Sequence, residues 1–157
     1  MSASNSAIDL SASERVNFQT MVRFRLELWL RARLLPFRVA EKDLADVLKL
    51  ARPSHPGRYR GLSTATIAAA VLRTTRHPWM MRDRRCLRQG LLGAYFLTAA
   101  GHEPELHFAV GRSAGPVDRL TAHCWVEIAG SCVVNTPQDG MTTIWVERQP
   151  AEGERQR

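Results

Sequence analysis

The sequence contains too few cysteines for several classes of protein. Its three cysteines are Cys86, Cys124 and Cys132, and no two of them form a CxxC pair. An odd count without such a pair argues against a disulfide framework and against a structural zinc site. We therefore expect a reduced, cytoplasmic protein without a metal or cofactor.

Long apolar stretches are also missing. Arginines interrupt every candidate before it reaches the roughly 18 residues of a membrane-spanning helix. The small, polar residues 1–13 lack the apolar core of a signal peptide. We expect residues 1–15 to be disordered and no membrane to be bound, with a basic amphipathic first helix on a membrane surface as the alternative.

Basic residues outnumber acidic residues in this chain. Lys and Arg number 22 against 15 Asp and Glu, a net charge of +7, and only Lys42 and Lys49 are lysines. Solvated helix faces explain such an excess, and so does an acidic partner, either a nucleic acid or an acidic peptide. No nucleic-acid-binding motif is present, and 7% aromatic residues are few for a base-stacking platform. A nucleic-acid-binding protein is therefore the weakest of our hypotheses.

The first half of the chain has helical periodicity. Apolar residues recur every three to four positions over residues 16–35 and 40–51, which predicts two helices. Pro36 should end or bend the first of them. A third helix is expected to begin at Ser63, a good N-cap, and to stop before Pro78. Arg23, Arg25, Arg31 and Arg33 make one side of the first helix strongly basic.

A fourth, more apolar helix is predicted to begin at Cys86. Apolar residues surround it almost completely, so it should be the buried central helix, with Gly101 at its end. Gly90 and Gly93 allow another element to approach it closely. Alternating apolar residues then predict strands at residues 106–110, 120–127, 131–135 and 142–147. The sequence thus predicts one α+β domain, in which the central helix packs on a small antiparallel sheet.

The turn between the second and third predicted strands decides which side chains meet. A three-residue loop ending at Gly130 puts His123 opposite Asn135 on one face. A two-residue loop shifts the pairing by one and moves Asn135 to the other face. We expect the longer loop, because it leaves an opposite face that is uniformly small and apolar and includes Cys124 and Cys132 as core residues.

The predicted arrangement suits thiol hydrolysis. Cys86 at a helix N-terminus is a candidate nucleophile, because the helix dipole favours the thiolate. His123 is the candidate base and acid, and Asn135 the residue that orients its ring, with Asp139 as the rival third member. A lone cysteine before an apolar helix is also commonly structural. Trp125 is expected to pack at the rim of this site. Four further histidines have no partner at a telling spacing and are expected at the surface or in loops: His55, His77, His102 and His107.

Three segments then show a family resemblance. C-L-R-Q-G-L-L-G-A-Y-F-L, G-H-E-P-E-L-H-F-A-V-G and A-H-C-W-V-E-I-A-G follow one another in the order found in lasso-peptide B2 proteins. These are transglutaminase-like cysteine proteases akin to the C-terminal domain of the microcin J25 maturation protein. The resemblance covers residues 21–137. It implies a transglutaminase-like, papain-like fold over residues 16–149, with a helical part at 16–78, a catalytic core at 79–149 and a frayed tail at 150–157.

The resemblance also implies a function. Such a protein is a leader peptidase of ribosomally synthesised peptide antibiotics, which frees the core's N-terminal amine for the lasso cyclase. A separate leader-binding B1 protein is the implied partner, beside the precursor peptide. Cys86 and His123 match the family's nucleophile and base. The family's usual aspartate, twelve residues after the histidine, is Asn135 here, and its H-A-W has become H-C-W at Cys124. A catalytically inactive member that binds peptides on its arginine-rich helices is the alternative.

Overall fold

The computed structural model describes residues 18–77, 80–112 and 120–148. In chain order the elements are α1 (Phe18–Val39), α2 (Leu44–Lys49), α3 (Thr64–Thr74), a 3₁₀ turn (Arg82–Arg84), α4 (Arg85–Ala99), β1 (Glu105–Arg112), β2 (Leu120–Ile128), β3 (Ser131–Val134) and β4 (Thr142–Arg148). Helices in the first half and strands in the second are the α+β organisation that the sequence predicts. The predicted disordered start and frayed tail, residues 1–15 and 150–157, lie outside the described residues.

The four strands form one antiparallel sheet in the order β3-β2-β1-β4. After the β2–β3 hairpin the chain crosses to the far edge, where β4 pairs with β1. One face of the sheet is apolar and packs on α4, with Leu106, Cys124 and Val126 buried. No helix of the described segments has both the length and the apolar character needed to span a membrane.

α4 is the buried centre of the fold, as predicted, because every residue from Arg88 to Ala99 is buried. Its glycines allow the sheet to come close. A Cβ atom on Gly90 would lie 2.9 Å from the Cys124 sulfur, and one on Gly93 would lie 3.0 Å from a methyl group of Val134. The close packing of helix on sheet therefore depends on these two positions having no side chain.

Gly101 ends α4 as predicted. Its φ of 88° is in the left-handed region that favours glycine. Its N–H donates to Thr98 O at 3.0 Å, and the N–H of His102 donates to Leu97 O at 3.0 Å. This is the Schellman pattern, which satisfies the last carbonyl groups of a helix and stops its propagation.

α1 continues one turn further than the sequence predicts. Pro36 lies inside the helix, so of the two outcomes that the sequence allowed at this proline, an end or a bend, the end is wrong. Proline has no N–H, and it therefore leaves the carbonyl of Ala32 without its usual helical donor. Arg88, buried on α4, donates to that oxygen from Nε at 3.1 Å and from Nη2 at 2.7 Å. A tertiary contact thus supplies the hydrogen bond that proline removes.

The other two predicted helices differ in length rather than in place. α2 is shorter than residues 40–51, because Glu41 has a φ of 61° and Asp43 is the N-cap. The side chain of Asp43 accepts the N–H of Asp46 at 2.8 Å. Ser63 caps α3 as predicted and accepts the N–H of Thr66 at 3.2 Å.

The β2–β3 hairpin has the shorter of the two turns that the sequence allows. Ile128 pairs with Ser131, so the loop is Ala129 and Gly130, and the predicted three-residue loop is wrong. Both loop residues have positive φ, 49° and 75°, which is the geometry of a type I′ turn. The twist of a type I′ turn matches that of the two strands, which favours this turn over a longer loop. The turn forms even though positive φ strains the backbone of Ala129.

A β-bulge in β3 then returns the side chains that follow it to the face of the sheet that the longer loop would have given them. Val126 pairs with Val134 but Glu127 pairs with Cys132, so β3 has an extra residue, Val133, at this point. Before the bulge, Cys132 lies beside Glu127 and is exposed, so its predicted place in the core is wrong. After the bulge, Val134 is buried opposite Val126. Cys124 is buried as predicted.

Candidate active site

Cys86 is the second residue of α4 and lies at an open cavity. Its side chain is half-buried, and its sulfur is 4.0 Å from the carbonyl oxygen of Ala122 on β2. The cavity measures about 730 Å³, and His123 and Cys86 both line it. Its other walls are mostly apolar and come from several elements: Val39, Leu44, Val47, Leu87, Phe108 and Leu120. A peptide-sized ligand can therefore reach the thiol.

The three cysteines differ strongly in acidity. The pKa of Cys86 is lowered to about 5, chiefly because the Cys124 thiol hydrogen-bonds to it; burial opposes this, and a hydrogen bond and charge from His123 lower the pKa further. The pKa of Cys124 is raised because the Cys86 sulfur accepts its hydrogen bond and because it is buried. Burial and the nearby Glu127 carboxylate raise the pKa of Cys132. Cys86 is thus a thiolate at neutral pH, while the other two are thiols.

The ring of His123 is held by the main chain. Its Nε2 lies 2.8 Å from the carbonyl oxygen of Thr136. Because a carbonyl oxygen only accepts, Nε2 carries the proton in this contact, which leaves Nδ1 as the nitrogen that is free to act as a base. The expected hydrogen bond between His123 and Asn135 is not formed. Sequence reasoning missed Thr136, since a main-chain acceptor leaves no signature in the side chains.

Asn135 nevertheless belongs to the site. It follows β3 with a φ of 58°, a conformation that asparagine tolerates better than most residues. Its Nδ2 donates to the carbonyl oxygen of Cys124 at 3.0 Å and to that of Cys86 at 3.4 Å. The amide therefore ties the start of α4 to β2. Asp139 is exposed on the loop between β3 and β4 and makes no hydrogen bond with the ring of His123.

Comparison with known families decides the fold family. The model of the transglutaminase-like superfamily matches residues 19–146. The chain belongs to this superfamily. Searches of curated proteins and of solved structures gave no significant match. The predicted transglutaminase-like fold is therefore confirmed, and the superfamily includes cysteine peptidases.

In this transglutaminase-like chain, Trp125 packs between two histidines. Its ring stacks on His107, with centroids 5.1 Å apart, and faces His123 at 6.1 Å. Its indole N–H donates to Glu127 Oε1 at 2.7 Å, and the residue is buried. Trp125 is thus a packing residue beside the site, as predicted, and it limits how far the His123 ring can tilt.

His107 is not the partnerless surface histidine that the sequence predicts. It pairs with Trp125 across the strands, and its Nε2 is 3.4 Å from Glu105 Oε2 and 3.5 Å from Glu127 Oε2. These three residues offer possible metal ligands within 4.8 Å of one another. Both carboxylates already accept hydrogen bonds, Glu105 from Arg148 and Glu127 from Trp125. We interpret the cluster as packed polar side chains on the outer face of the sheet.

Proposed function

We propose that this protein is a cysteine peptidase that removes the leader from a ribosomally synthesised lasso-peptide precursor. The observation that carries the proposal is Cys86 at the start of α4, which lines one open cavity together with His123 and whose pKa is lowered to about 5. Membership of the transglutaminase-like superfamily supports thiol chemistry. The choice of substrate rests on the resemblance of the Cys86 helix and of the A-H-C-W-V-E strand to lasso-peptide B2 proteins.

The first half of the reaction forms a thioester. The Cys86 thiolate attacks the carbonyl carbon of the last leader residue, and backbone N–H groups at the start of α4 donate to the oxyanion that develops. The intermediate then collapses, and the C–N bond breaks. His123 Nδ1 gives its proton to the departing nitrogen, which becomes the N-terminal amine of the core peptide.

The second half regenerates the enzyme. Neutral His123 removes a proton from a water molecule, which attacks the thioester carbonyl. The C–S bond breaks, the leader leaves as a carboxylic acid, and the Cys86 thiolate and the protonated His123 are restored. Throughout, the Thr136 carbonyl accepts from Nε2–H and so leaves Nδ1 as the nitrogen that exchanges the proton.

The proposal includes partners. A separate leader-binding B1 protein presents the precursor, and a lasso cyclase consumes the amine that cleavage releases. All are expected to act in the cytoplasm and without a cofactor in this step.

The decisive experiment mixes the precursor, its leader-binding partner and this protein, and follows intact masses. Wild type should release leader and core, and Cys86→Ala should slow this by about 10³-fold or more, because it removes the nucleophile. Cys132→Ala is the matched control, since that thiol is exposed and outside the cavity. Undiminished cleavage by Cys86→Ala would reject the proposal.

A second candidate function, peptide binding without catalysis, is favoured by a groove on the helical side. This groove, of about 400 Å³, has apolar walls that include Leu26, Leu30 and Leu34 on α1. Those leucines are 64%, 48% and 40% exposed, which is unusual for three side chains on one helix stripe. An apolar segment of a peptide fits such a surface.

The rim of this groove is basic. Four arginines line it: Arg23, Arg31, Arg38 and Arg58. Its carboxylate, Glu27, is already paired with Arg31 at 2.8 Å and Arg58 at 3.2 Å, and it accepts a hydrogen bond from Tyr59. The positive charge that remains is complementary to an acidic peptide with apolar residues.

Binding of fluorescently labelled leader peptide tests this second function. Arg38→Glu should weaken binding about tenfold or more and reduce its salt dependence. Arg76→Glu, an exposed arginine outside the groove, is the control for overall charge. Equal weakening by both variants would show attraction to net charge rather than a groove site. Binding without any cleavage by wild type would favour this function over the peptidase.

A further inference from the structure

Cys124 is a second thiol at the site, and the proposed reaction does not use it. It lies on β2, next to His123 in sequence, with its sulfur against α4. A Cβ on Gly90 would be only 2.9 Å from that sulfur. Gly90 is one helical turn after Cys86 and on the same face of α4. The missing side chain at Gly90 thus leaves room for the Cys124 sulfur beside the turn that begins with Cys86.

The main chains of the two cysteines are also held together. The Asn135 side-chain nitrogen donates to both of their carbonyl oxygens, at 3.4 Å for Cys86 and 3.0 Å for Cys124. Both cysteines line the same cavity, and Cys124 is the largest cause of the lowered pKa of Cys86. One sulfur is therefore an accessible thiolate, and the other is a buried thiol beside it.

We propose that Cys86 and Cys124 are a modification site that hydroperoxides convert into an intramolecular disulfide. This inference goes beyond the proposed peptidase reaction and needs only the two thiols. Cys86 provides the reactive thiolate, and Cys124 resolves the oxidised product.

The chemistry proceeds in two steps. The Cys86 thiolate attacks a peroxide oxygen, the O–O bond breaks, and the second oxygen leaves with a proton as water or an alcohol. Cys86 is now a sulfenic acid, and the peroxide has taken two electrons from its sulfur. The Cys124 sulfur then attacks the Cys86 sulfur, the S–O bond breaks, and water leaves with the Cys124 proton, which closes the disulfide. A thiol reductant returns two electrons and two protons and reopens it.

The consequence is reversible protection of the nucleophile. A lone sulfenic acid is open to further oxidation to sulfinic and sulfonic acids, and thiol reductants do not reverse these. The adjacent Cys124 competes with that reaction. Cys132 is exposed beside Glu127, has a raised pKa and lies outside the cavity, so it serves as an internal reference.

The test is a peptide map of the full-length protein. Reduced protein at low concentration is treated with hydrogen peroxide, denatured, alkylated with iodoacetamide, digested and analysed by mass spectrometry. We expect a linked peptide pair containing Cys86 and Cys124, loss of both from the alkylated pool, retention of alkylated Cys132, and full recovery after dithiothreitol. Recovery of Cys86 as sulfinic or sulfonic acid while Cys124 is still alkylated would overturn the proposal, and so would disulfides that join two protein molecules.

A Cys124→Ala variant sharpens the result. It carries alanine, the residue that the H-A-W pattern of lasso-peptide B2 proteins has at this position. Under the same treatment its Cys86 should be lost in a form that dithiothreitol does not restore, whereas recovery equal to wild type would contradict a resolving role. If the variant does not fold, the wild-type map still decides. Because the readout is thiol chemistry and not precursor cleavage, failure of the peptidase proposal would not be mistaken for failure of this one.

Discussion

Arg88 on α4 donates two hydrogen bonds to the carbonyl oxygen of Ala32 on α1, from Nε at 3.1 Å and Nη2 at 2.7 Å. That oxygen would accept from residue 36 in an ordinary helix, but residue 36 is proline. Arg88 is only 2% exposed, and its Nη1 also donates to His77 O at 3.3 Å. The helix that carries Cys86 is therefore connected to α1 at the position where proline interrupts the hydrogen bonding of α1.

Replacing Arg88 tests how much its contact with the Ala32 carbonyl oxygen stabilises the fold. Arg88→Met should lower the free energy of unfolding by about 2–3 kcal/mol, because it removes charged hydrogen bonds and leaves a buried carbonyl unsatisfied. Adding Pro36→Ala restores an N–H that can bond to Ala32 O, so the double variant should recover about 1 kcal/mol. Urea unfolding of wild type, Arg88→Met, Pro36→Ala and the double variant measures the coupling energy between the two positions. Strict additivity would show that the two positions are independent.

Gly90→Ala should destabilise the protein although alanine favours helices. The new Cβ would lie 2.9 Å from both Cys124 Sγ and Leu106 Cδ1, and overpacking of this kind costs about 1–3 kcal/mol. This exceeds the gain of up to about 1 kcal/mol in helix propensity. In a Cys124→Ala background the cost should fall, since one of the two clashing atoms is gone. Thermal or urea unfolding measures both values, and a stabilised single variant would contradict the close packing.

Alkylation of Cys86 should follow an unusually acidic titration. With a pKa of about 5, its reaction with iodoacetamide should reach half its maximal rate near pH 5 and level off above that. Cys124→Ala should move this midpoint upward, because it removes the hydrogen bond that contributes most. Cys132, whose pKa is raised, should react only at alkaline pH. Peptide mapping across pH 4–10 gives the curves, and a midpoint near that of free cysteine would contradict the site.

Asn135→Asp separates two roles for this residue. If Asn135 oriented the His123 ring, aspartate, the usual residue of lasso-peptide B2 proteins, should preserve or raise activity. The structure predicts the reverse, because a carboxylate has no N–H to give and would face the carbonyl oxygens of Cys86 and Cys124. We expect a loss of about 1–3 kcal/mol in unfolding free energy and slower cleavage. Asn135→Ala is the control that removes the donor without adding charge, and a more active aspartate variant would return the orienting role to position 135.

Local signals were sufficient for much of the fold. The capping Ser63, the terminating Gly101 and the apolar surround of α4 are short-range features, and each has the predicted place. An end of α1 at Pro36, one of the two outcomes that the sequence allowed, was wrong because the donor to the Ala32 carbonyl comes from Arg88, far along the chain. No pattern around Pro36 reveals such a partner.

The β2–β3 hairpin shows, within the candidate site, the same contrast between what local sequence predicts and what long-range packing sets. Its sequence allows two turns, and it contains no sign of the bulge at Val133. The two changes offset each other, so the side chain of Asn135 still reaches the site although the predicted register was wrong. Its partners are nonetheless different, since it bonds the cysteine carbonyls while Thr136 holds His123.

The sequence by itself determined the nature of the elements, the placement of Cys86 at the start of a buried helix and the presence of His123 on a neighbouring strand, because these depend on residue types at short spacing. The tertiary structure alone decided which groups touch: the Cys124 thiol against Cys86, and a main-chain carbonyl on the histidine. Such contacts depend on the twist of a turn, one inserted residue and the depth at which a helix lies on a sheet. Those quantities are set by packing of the whole chain, and hydrophobic periodicity carries no record of them.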